Sequence, residues 1–177
     1  MSTPLLRPAQ VSDASALLDI YRPYVEAPGY CFELECPSAV EFAARIERAQ
    51  AHWEWRVAEQ HGQVVGYAYA GLHRQRAAYR YSCEVSAYVS PEAARSGIGS
   101  ALYVDLLARL TARGYFNALA VIVLPNPASE AFHRCHGFAP VAVFQQAGYT
   151  HGRWWDVAWM HRRLRDGDPL DAGEAAA

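Results

Sequence analysis

The chain has 177 residues, of which 52% are hydrophobic and 19% charged, and its formal net charge at pH 7 is -2. This length suits one domain of ordinary size, and a chain without a basic excess is not expected to present a nucleic-acid-binding surface. All 16 positively charged residues are Arg. Because there is no Lys, a Walker A loop and a Schiff-base enzyme are both excluded.

Cysteine spacing and hydropathy bear on the compartment and on metal binding. The 4 cysteines form no CxxC pair, and the first ten residues, MSTPLLRPAQ, contain no apolar signal-peptide core. No apolar run is long enough to span a membrane, so we expect a reduced, cytoplasmic protein with no membrane partner. His133, Cys135 and His136 in FHRCHGF are possible metal ligands, but no second cluster or HExxH spacing accompanies them. We therefore expect no metal.

The first quarter of the chain predicts one strand and two helices. LLRPA indicates a short strand, and VSDASALLDIYRPYVE has helical spacing through Leu17, Leu18 and Tyr21. Ser38 and Glu41 form a possible capping box ahead of FAARIERAQA, the second helix.

The middle of the chain changes to the period of strands. WEWRVAEQHGQVVGYAYAG predicts a hairpin joined at His61 and Gly62. A polar connection, LHRQRAAYR, leads to a central strand over about 81–89, and a helix then follows the GIG motif to about Arg113, where Gly114 ends it.

The last third predicts a buried strand, a short helix and a final strand pair. ALAVIVL is a near-continuous apolar run that suits a strand buried on both faces. Asn126 or Ser129 can start the next helix, and Gly137 ends it. VAVFQQAGY and WWDVAWMHRRL predict two strands joined by a GYTHGR turn. We predict one α/β domain with a mixed sheet over residues 1–165, followed by a polar, Ala-rich tail over 166–177.

The segment SPEAARSGIGSALYVDLLARL places two glycines directly before a long helix. Glycine lets the backbone approach a ligand closely, and the first amides of a helix favour an anion. A dinucleotide-binding GxGxxG turn fits poorly, because its third glycine is Leu102 here and SPEAARS separates the strand from Gly97. Two interpretations remain: the amides of residues 95–100 bind a pyrophosphate, or Gly97 and Gly99 only shape a tight loop.

Five blocks, in their order and spacing, resemble the GNAT superfamily of acyl-CoA N-acyltransferases, in particular its phosphinothricin/methionine sulfone N-acetyltransferase branch. The blocks are CEVSAYVS, RSGIGSALY, AVIVLPNPAS, FHRCHGF and GYTHGRWWDV. The resemblance runs from LLRPA to about Leu164. It implies a splayed central sheet flanked by helices and acetyl-CoA as the co-substrate. In the superfamily pattern a Gln or Arg stands where this chain has Ala94, so Arg95 is the candidate for the loop cation.

The resemblance also implies which residues bind the cofactor. The pyrophosphate would lie on the loop amides, and the pantetheine would bind along the central strand and beside the start of the next helix. Asn126 is also a candidate for an ordinary helix cap. The implied residues are Ala87, Tyr88, Val89, Arg95, Ser96, Gly97, Ile98, Gly99, Ser100, Asn126 and Ser129.

Glu84 and His133 are the candidate catalytic residues. Glu84 lies on the same face of the central strand as Ser82 and Ser86, since side chains alternate between faces. An unpaired carboxylate there is costly unless it lies in a cleft or on a solvated face. The resemblance gives Glu84 the position of the general base and places an oxyanion-stabilising amide near Tyr88. His133 is either the acid that protonates the leaving thiolate or a side chain that only packs against the cofactor.

Two segments are candidates for contact with the acceptor and with a second subunit. Arg74, Arg76 and Arg80 precede the base strand and are able to grip a carboxylate or phosphinate, although such clusters are also common in solvated loops. Phe32, in the loop between the first two helices, is a candidate for an aromatic wall of the acceptor site. The aromatic stretch GYTHGRWWDVAW predicts an interface, and the resemblance implies that this region supports a homodimer. Alternatively, its tryptophans, Trp154, Trp155 and Trp159, cover the sheet within one subunit.

Three functions are therefore in competition. The first is acetyl-CoA-dependent N-acetylation of the α-amino group of a small amino acid or amino-acid-like toxin, by direct transfer in a ternary complex, since no GxSxG nucleophile motif is present. The second keeps the fold but uses a cationic amine or a protein N-terminus as the acceptor. The third is a non-catalytic acyl-CoA-binding module, which has no need for a placed base such as Glu84.

Overall fold

Seven β-strands and four α-helices form residues 3–169, the part of the chain that the computed structural model describes. The elements are β1 (Leu5–Pro8), α1 (Ala14–Glu26), α2 (Ala39–His52), β2 (Trp55–Gln60), β3 (Gln63–Leu72), β4 (Ser82–Val89), α3 (Ile98–Ala112), β5 (Asn117–Leu124), α4 (Pro127–Cys135), β6 (Ala139–Thr150) and β7 (Arg153–Arg163). Most of the predicted C-terminal tail, residues 170–177, lies outside the described residues.

The signals at the helix ends act as predicted. Ser38 caps α2: its Oγ accepts a hydrogen bond from the Glu41 amide at 3.2 Å, and the Glu41 carboxylate accepts one from the Ser38 amide at 2.8 Å. The predicted first helix begins as a short 3-10 turn over Val11–Asp13, and α1 proper follows from Ala14. The capping box therefore fixes where α2 begins.

The sheet is mixed, with strand order β1-β2-β3-β4-β5-β7-β6, and its centre is splayed. The parallel strands β4 and β5 pair only at Ser82↔Asn117, Cys83↔Ala118 and Glu84↔Leu119. Beyond these pairs β4 continues to Val89 bonded only to β3, and β5 continues bonded only to β7. The predicted fold class, including the splay, is therefore confirmed.

A separate apolar core covers each face of the sheet. One contains the fully buried α3 side chains Leu102, Leu106 and Leu110 packed on Cys83 and Val85 of β4. The other holds α1 and α2 against the aromatic face of β2 and β3. Because side chains alternate along a strand, Glu84, Ser86 and Tyr88 share the face that α1 and α2 cover.

The C-terminal hairpin is longer and its turn tighter than the sequence predicts. β6 and β7 pair up to Thr150↔Arg153, so the turn consists of His151 and Gly152, with φ of 52° and 74°. Positive φ at both central residues matches the twist of the flanking strands, which allows pairing to extend into the segment GYTHGR.

Candidate active site

A cavity of about 450 Å³ occupies the opening between β4 and β5. Val85 to Val89 form one wall and Val121 to Val123 the other, and the start of α3 and part of α4 lie at its rim. The β4 edge that faces this cavity is not hydrogen-bonded to β5. Its backbone groups are therefore available to an extended ligand, as a new strand would use them.

The loop before α3 presents unpaired backbone amides to this cavity. Gly97 is the N-cap of α3 with φ of 86°, and no side chain caps the helix. Arg95 also has positive φ, at 61°. With left-handed backbone at Arg95 and Gly97, successive N–H groups of the loop turn toward one point. The helix dipole adds a partial positive charge there. The arrangement suits a phosphate or pyrophosphate.

All predicted cofactor residues except Ser96 and Ile98 line the cavity. The Ser96 hydroxyl donates to the Ala93 carbonyl oxygen at 2.6 Å, and the Ile98 side chain is 2% exposed in the α3 core. These two residues have only their backbone amides as donors for an anionic ligand. The sequence does not distinguish residues that offer a backbone amide to the cofactor from those that offer a side chain, because both kinds occur in the same loop.

Asn126 caps α4 and also lines the cavity. Its Oδ1 accepts a hydrogen bond from the Ser129 amide at 3.1 Å. The cap interpretation is confirmed, and it leaves the amide NH₂ of Asn126 as a hydrogen-bond donor at the rim.

His133 lines the cavity and is 8% exposed. Its Nδ1 is 2.7 Å from the Ser129 carbonyl oxygen, and since a carbonyl only accepts, Nδ1 carries the proton. Burial lowers the pKa of His133. A neutral imidazole with this tautomer is an acceptor at Nε2 and has no proton to donate from that atom.

Glu84 lies where the β4 and β5 strands part, since Glu84↔Leu119 is the last pair between them. Its side chain is 33% exposed, and Oε1 is 3.0 Å from His73 Nδ1. Glu84 is thus neither buried in the core nor fully solvated. The carboxylate is placed to take a proton from a group that enters the opening from the side of α1 and α2.

The three arginines of the β3–β4 loop differ in their surroundings, although all are exposed. Arg74 has its guanidinium 5.5 Å from the ring centroid of Trp159 on β7. Arg80 lies over Tyr81 and donates to its hydroxyl at 3.0 Å. Arg76 precedes the short 3-10 turn Ala77–Tyr79. Only Arg74 is linked by contacts to the neighbours of Glu84.

The α1–α2 loop packs on the C-terminal hairpin. A side chain at Gly148 would collide with the ring of Phe32, and one at Gly29 would come within 2.9 Å of Trp155. Both glycines therefore permit the close approach of the loop. Phe32, which is 38% exposed, packs on the hairpin and is not among the residues that line the cavity, so its role as a wall of the acceptor site stays a prediction.

Several residues of the site were missed by sequence reasoning. Tyr24 and Tyr30 line the cavity, and the Tyr24 hydroxyl donates to the Val89 carbonyl oxygen at 2.7 Å, across 65 positions of sequence. In the sequence, Tyr24 belongs to the apolar stripe of an amphipathic helix. His73 and its contact with Glu84 were also missed, because the polar loop gives no sign of which side chain folds back onto the sheet.

Fold and cleft together define an acetyltransferase. Residues 6–159 match the family described as "Acetyltransferase (GNAT) domain", and the chain belongs to this GNAT acetyltransferase family. It is similar to a phosphinothricin N-acetyltransferase from Streptomyces viridochromogenes, with 39% identity over 157 residues that cover 89% of this chain and 86% of the relative. An L-methionine sulfoximine/L-methionine sulfone acetyltransferase from Pseudomonas aeruginosa is 32% identical over 90% of this chain and 94% of its own.

The fold is also similar to a solved structure, that of a GNAT superfamily phosphinothricin acetyltransferase from Sinorhizobium meliloti in complex with acetyl-CoA. The two share 40% identity and a TM-score of 0.89, covering 94% of this chain and 91% of the other.

Two further observations concern metals and membranes. Within residues 3–169, no three His, Cys, Asp or Glu side chains are grouped so that they could hold a metal ion. The same range contains no helix with the length and apolar character needed to cross a membrane.

Proposed function

We propose that this protein transfers the acetyl group of acetyl-CoA directly to the α-amino group of a small amino acid or amino-acid-like toxin of the phosphinothricin or methionine sulfone type. The observation that carries the proposal is the β4–β5 opening, which has uncapped helix amides at one end and Glu84 at the other. The relatives' named substrates support the acceptor class, and the acetyl-CoA complex of the Sinorhizobium meliloti relative supports the co-substrate.

Glu84 is the proposed base. An amine is protonated at neutral pH and must lose a proton before it attacks a thioester, and a carboxylate is able to accept that proton directly or through water. A β4 amide near Tyr88 would stabilise the oxyanion. For His133, the Nδ1–H bond to Ser129 and the lowered pKa favour packing on the cofactor over donating a proton from Nε2.

The environments of Cys83 and Cys31 make both unsuited to form an acyl-enzyme. Burial raises the pKa of Cys83 to about 12 and also raises the pKa of Cys31. A thiol attacks as its thiolate, so neither group is activated as a nucleophile. The acetyl group would then pass to the amine while both substrates are bound.

An acceptor panel tests this function. Thiol release from acetyl-CoA is measured with phosphinothricin, methionine sulfone, spermidine and an aminoglycoside. We expect the two amino acids, which both carry a carboxylate, to give a kcat/KM at least about 100-fold higher than the polyamine, because an acceptor without an anionic group leaves a guanidinium unpaired. A best rate with spermidine or the aminoglycoside would overturn the amino-acid assignment in favour of a cationic acceptor.

Gly97→Val is expected to weaken acetyl-CoA binding about tenfold, the effect of losing a single interaction of the loop amides. Gly97 has φ of 86°, a region that a β-branched residue avoids, and a Cβ added there would meet no atom within 4 Å outside its chain neighbours. The substitution should therefore distort the loop without a clash in the core. Calorimetry with acetyl-CoA measures the affinity, and Gly62→Val, at another open positive-φ glycine that does not line the cavity, is the control. Equal affinity in Gly97→Val and the parent would contradict the binding of acetyl-CoA by the amides of the loop before α3.

We also propose that the protein is a homodimer that associates through β6 and the tip of its hairpin. Residues 139–147 of this edge strand are exposed, among them Val141, Val143 and Phe144 at 65%, 56% and 53%. Of the three tryptophans predicted for the interface, Trp154 is 55% exposed, whereas Trp155 is 6% exposed and covers the sheet within the subunit. A long apolar edge strand is an association site unless it is covered.

Val143→Arg is expected to convert this dimer to a monomer at micromolar concentration, because it places a charge in the apolar patch. Light scattering after gel filtration measures the mass. Val104→Arg is the matched control, since Val104 is 61% exposed on α3 and its variant should keep the mass of the parent. A monomeric parent chain would contradict the proposal.

A further inference from the structure

His73 folds back onto the sheet from the loop that follows β3. β3 ends at Leu72, and the last β3–β4 pairs are Gly71↔Glu84 and Leu72↔Cys83. The next residue places its imidazole Nδ1 3.0 Å from Glu84 Oε1. The His73 side chain is 10% exposed and that of Glu84 33%. His73 is thus the more buried member of the pair, although it belongs to a polar loop.

Two aromatic rings hold the imidazole in this position. Tyr79, from the same loop, contacts it edge-on at 5.6 Å between ring centroids, and Trp159, from β7, does so at 5.5 Å. Arg74 packs on the same Trp159 ring. The imidazole is therefore fixed between β7 and the loop that carries the candidate acceptor-binding arginines.

The chemistry of the pair assigns the proton. An ionised carboxylate only accepts hydrogen bonds, so the bond requires the proton on Nδ1. A donor of this kind holds one carboxylate oxygen and leaves the second one with its lone pairs free. It does not take away the negative charge that makes Glu84 a base.

We infer that His73 is a positioning residue that orients the Glu84 carboxylate toward the incoming amine; this rests on the proposed function of Glu84. A glutamate has three side-chain torsions, and a partly exposed one samples several rotamers. Small displacements of a catalytic group lower the rate greatly. A hydrogen bond from a side chain that packing already fixes removes this freedom before the acceptor binds.

The test compares two His73 variants in acetyl transfer to phosphinothricin. His73→Asn keeps an N–H donor close to the place of Nδ1, whereas His73→Leu keeps the packing volume but has no donor. We expect His73→Leu to lower kcat about 10- to 100-fold, the range for losing a hydrogen bond to a charged group, with an unchanged KM for acetyl-CoA. His73→Asn should stay within about threefold of the parent, since it restores the bond.

A double-mutant cycle with Glu84→Gln separates positioning from a purely structural role. If His73 acts through Glu84, His73→Leu has little further effect once the carboxylate is gone. An equal loss in both backgrounds, a parental kcat for His73→Leu, or a His73→Asn as slow as His73→Leu would overturn the inference. A parent chain that acetylates no member of the acceptor panel would instead overturn the proposed function, and the inference with it.

Discussion

Glu84→Gln is expected to lower kcat by about 10²- to 10⁴-fold, the span typical for losing a general base. Glutamine keeps the shape of the side chain and its acceptor for the His73 Nδ1–H, which lies 3.0 Å away in the parent. It has no basic oxygen to receive the amine proton. Acetyl-CoA binding should barely change, because the cavity wall begins at Val85 and the loop amides are untouched.

Steady-state kinetics against pH measures this effect, with acetyl-CoA affinity determined separately. Glu47→Gln on α2 is the matched control, since Glu47 is an exposed carboxylate on the outer side of the helix and should retain the parental rate. A Glu84→Gln profile that runs parallel to the parent at nearly the same rate would reject Glu84 as the base.

Replacing Arg74 and Arg76 together by Ala is expected to lower kcat/KM for phosphinothricin about 10- to 150-fold. This range corresponds to losing one charge-assisted hydrogen-bonding interaction of about 1.5–3 kcal/mol. Arg74 lies on Trp159, whose ring also contacts His73, so its guanidinium is near the candidate base. A carboxylate gripped there would leave its own α-amino group close to Glu84.

The change should fall on the KM for the acceptor and leave the KM for acetyl-CoA unchanged. Arg109→Ala is the control, because Arg109 pairs with Asp105 on α3, away from the loop. Single variants divide the effect between the two loop arginines, and we expect Arg74 to have the larger share. An unchanged acceptor KM in the double variant would show that the loop arginines do not bind the acceptor.

The fold was largely predictable because each element carries a local signal. The Ser38 and Glu41 capping box, the His61 and Gly62 hairpin turn and the apolar run of β5 all act within a few residues. The hairpin of β6 and β7 was less predictable. Its length depends on cross-strand pairing up to Thr150↔Arg153, and the segment GYTHGR contains enough polar and glycine residues to suggest a longer turn.

The candidate site was predictable where backbone geometry makes it and unpredictable where distant side chains meet. Gly97 marks the amide loop in the sequence because only glycine adopts its φ of 86° readily. Nothing local indicates that His73 turns toward Glu84, that Tyr24 reaches the Val89 carbonyl, or that Trp155 packs on Gly29. Such contacts depend on how elements far apart in the sequence pack together.

Identifying the product by NMR tests the central claim most directly. The protein is incubated with acetyl-CoA and phosphinothricin, free thiol is measured as it is released, and the acetylated nitrogen is assigned in the product. We expect one thiol released per amide formed, with the acetyl group on the α-amino nitrogen. Thiol release without an acetylated amino acid, or acetyl groups found on the protein in place of the acceptor, would contradict direct transfer to an amino-acid amine.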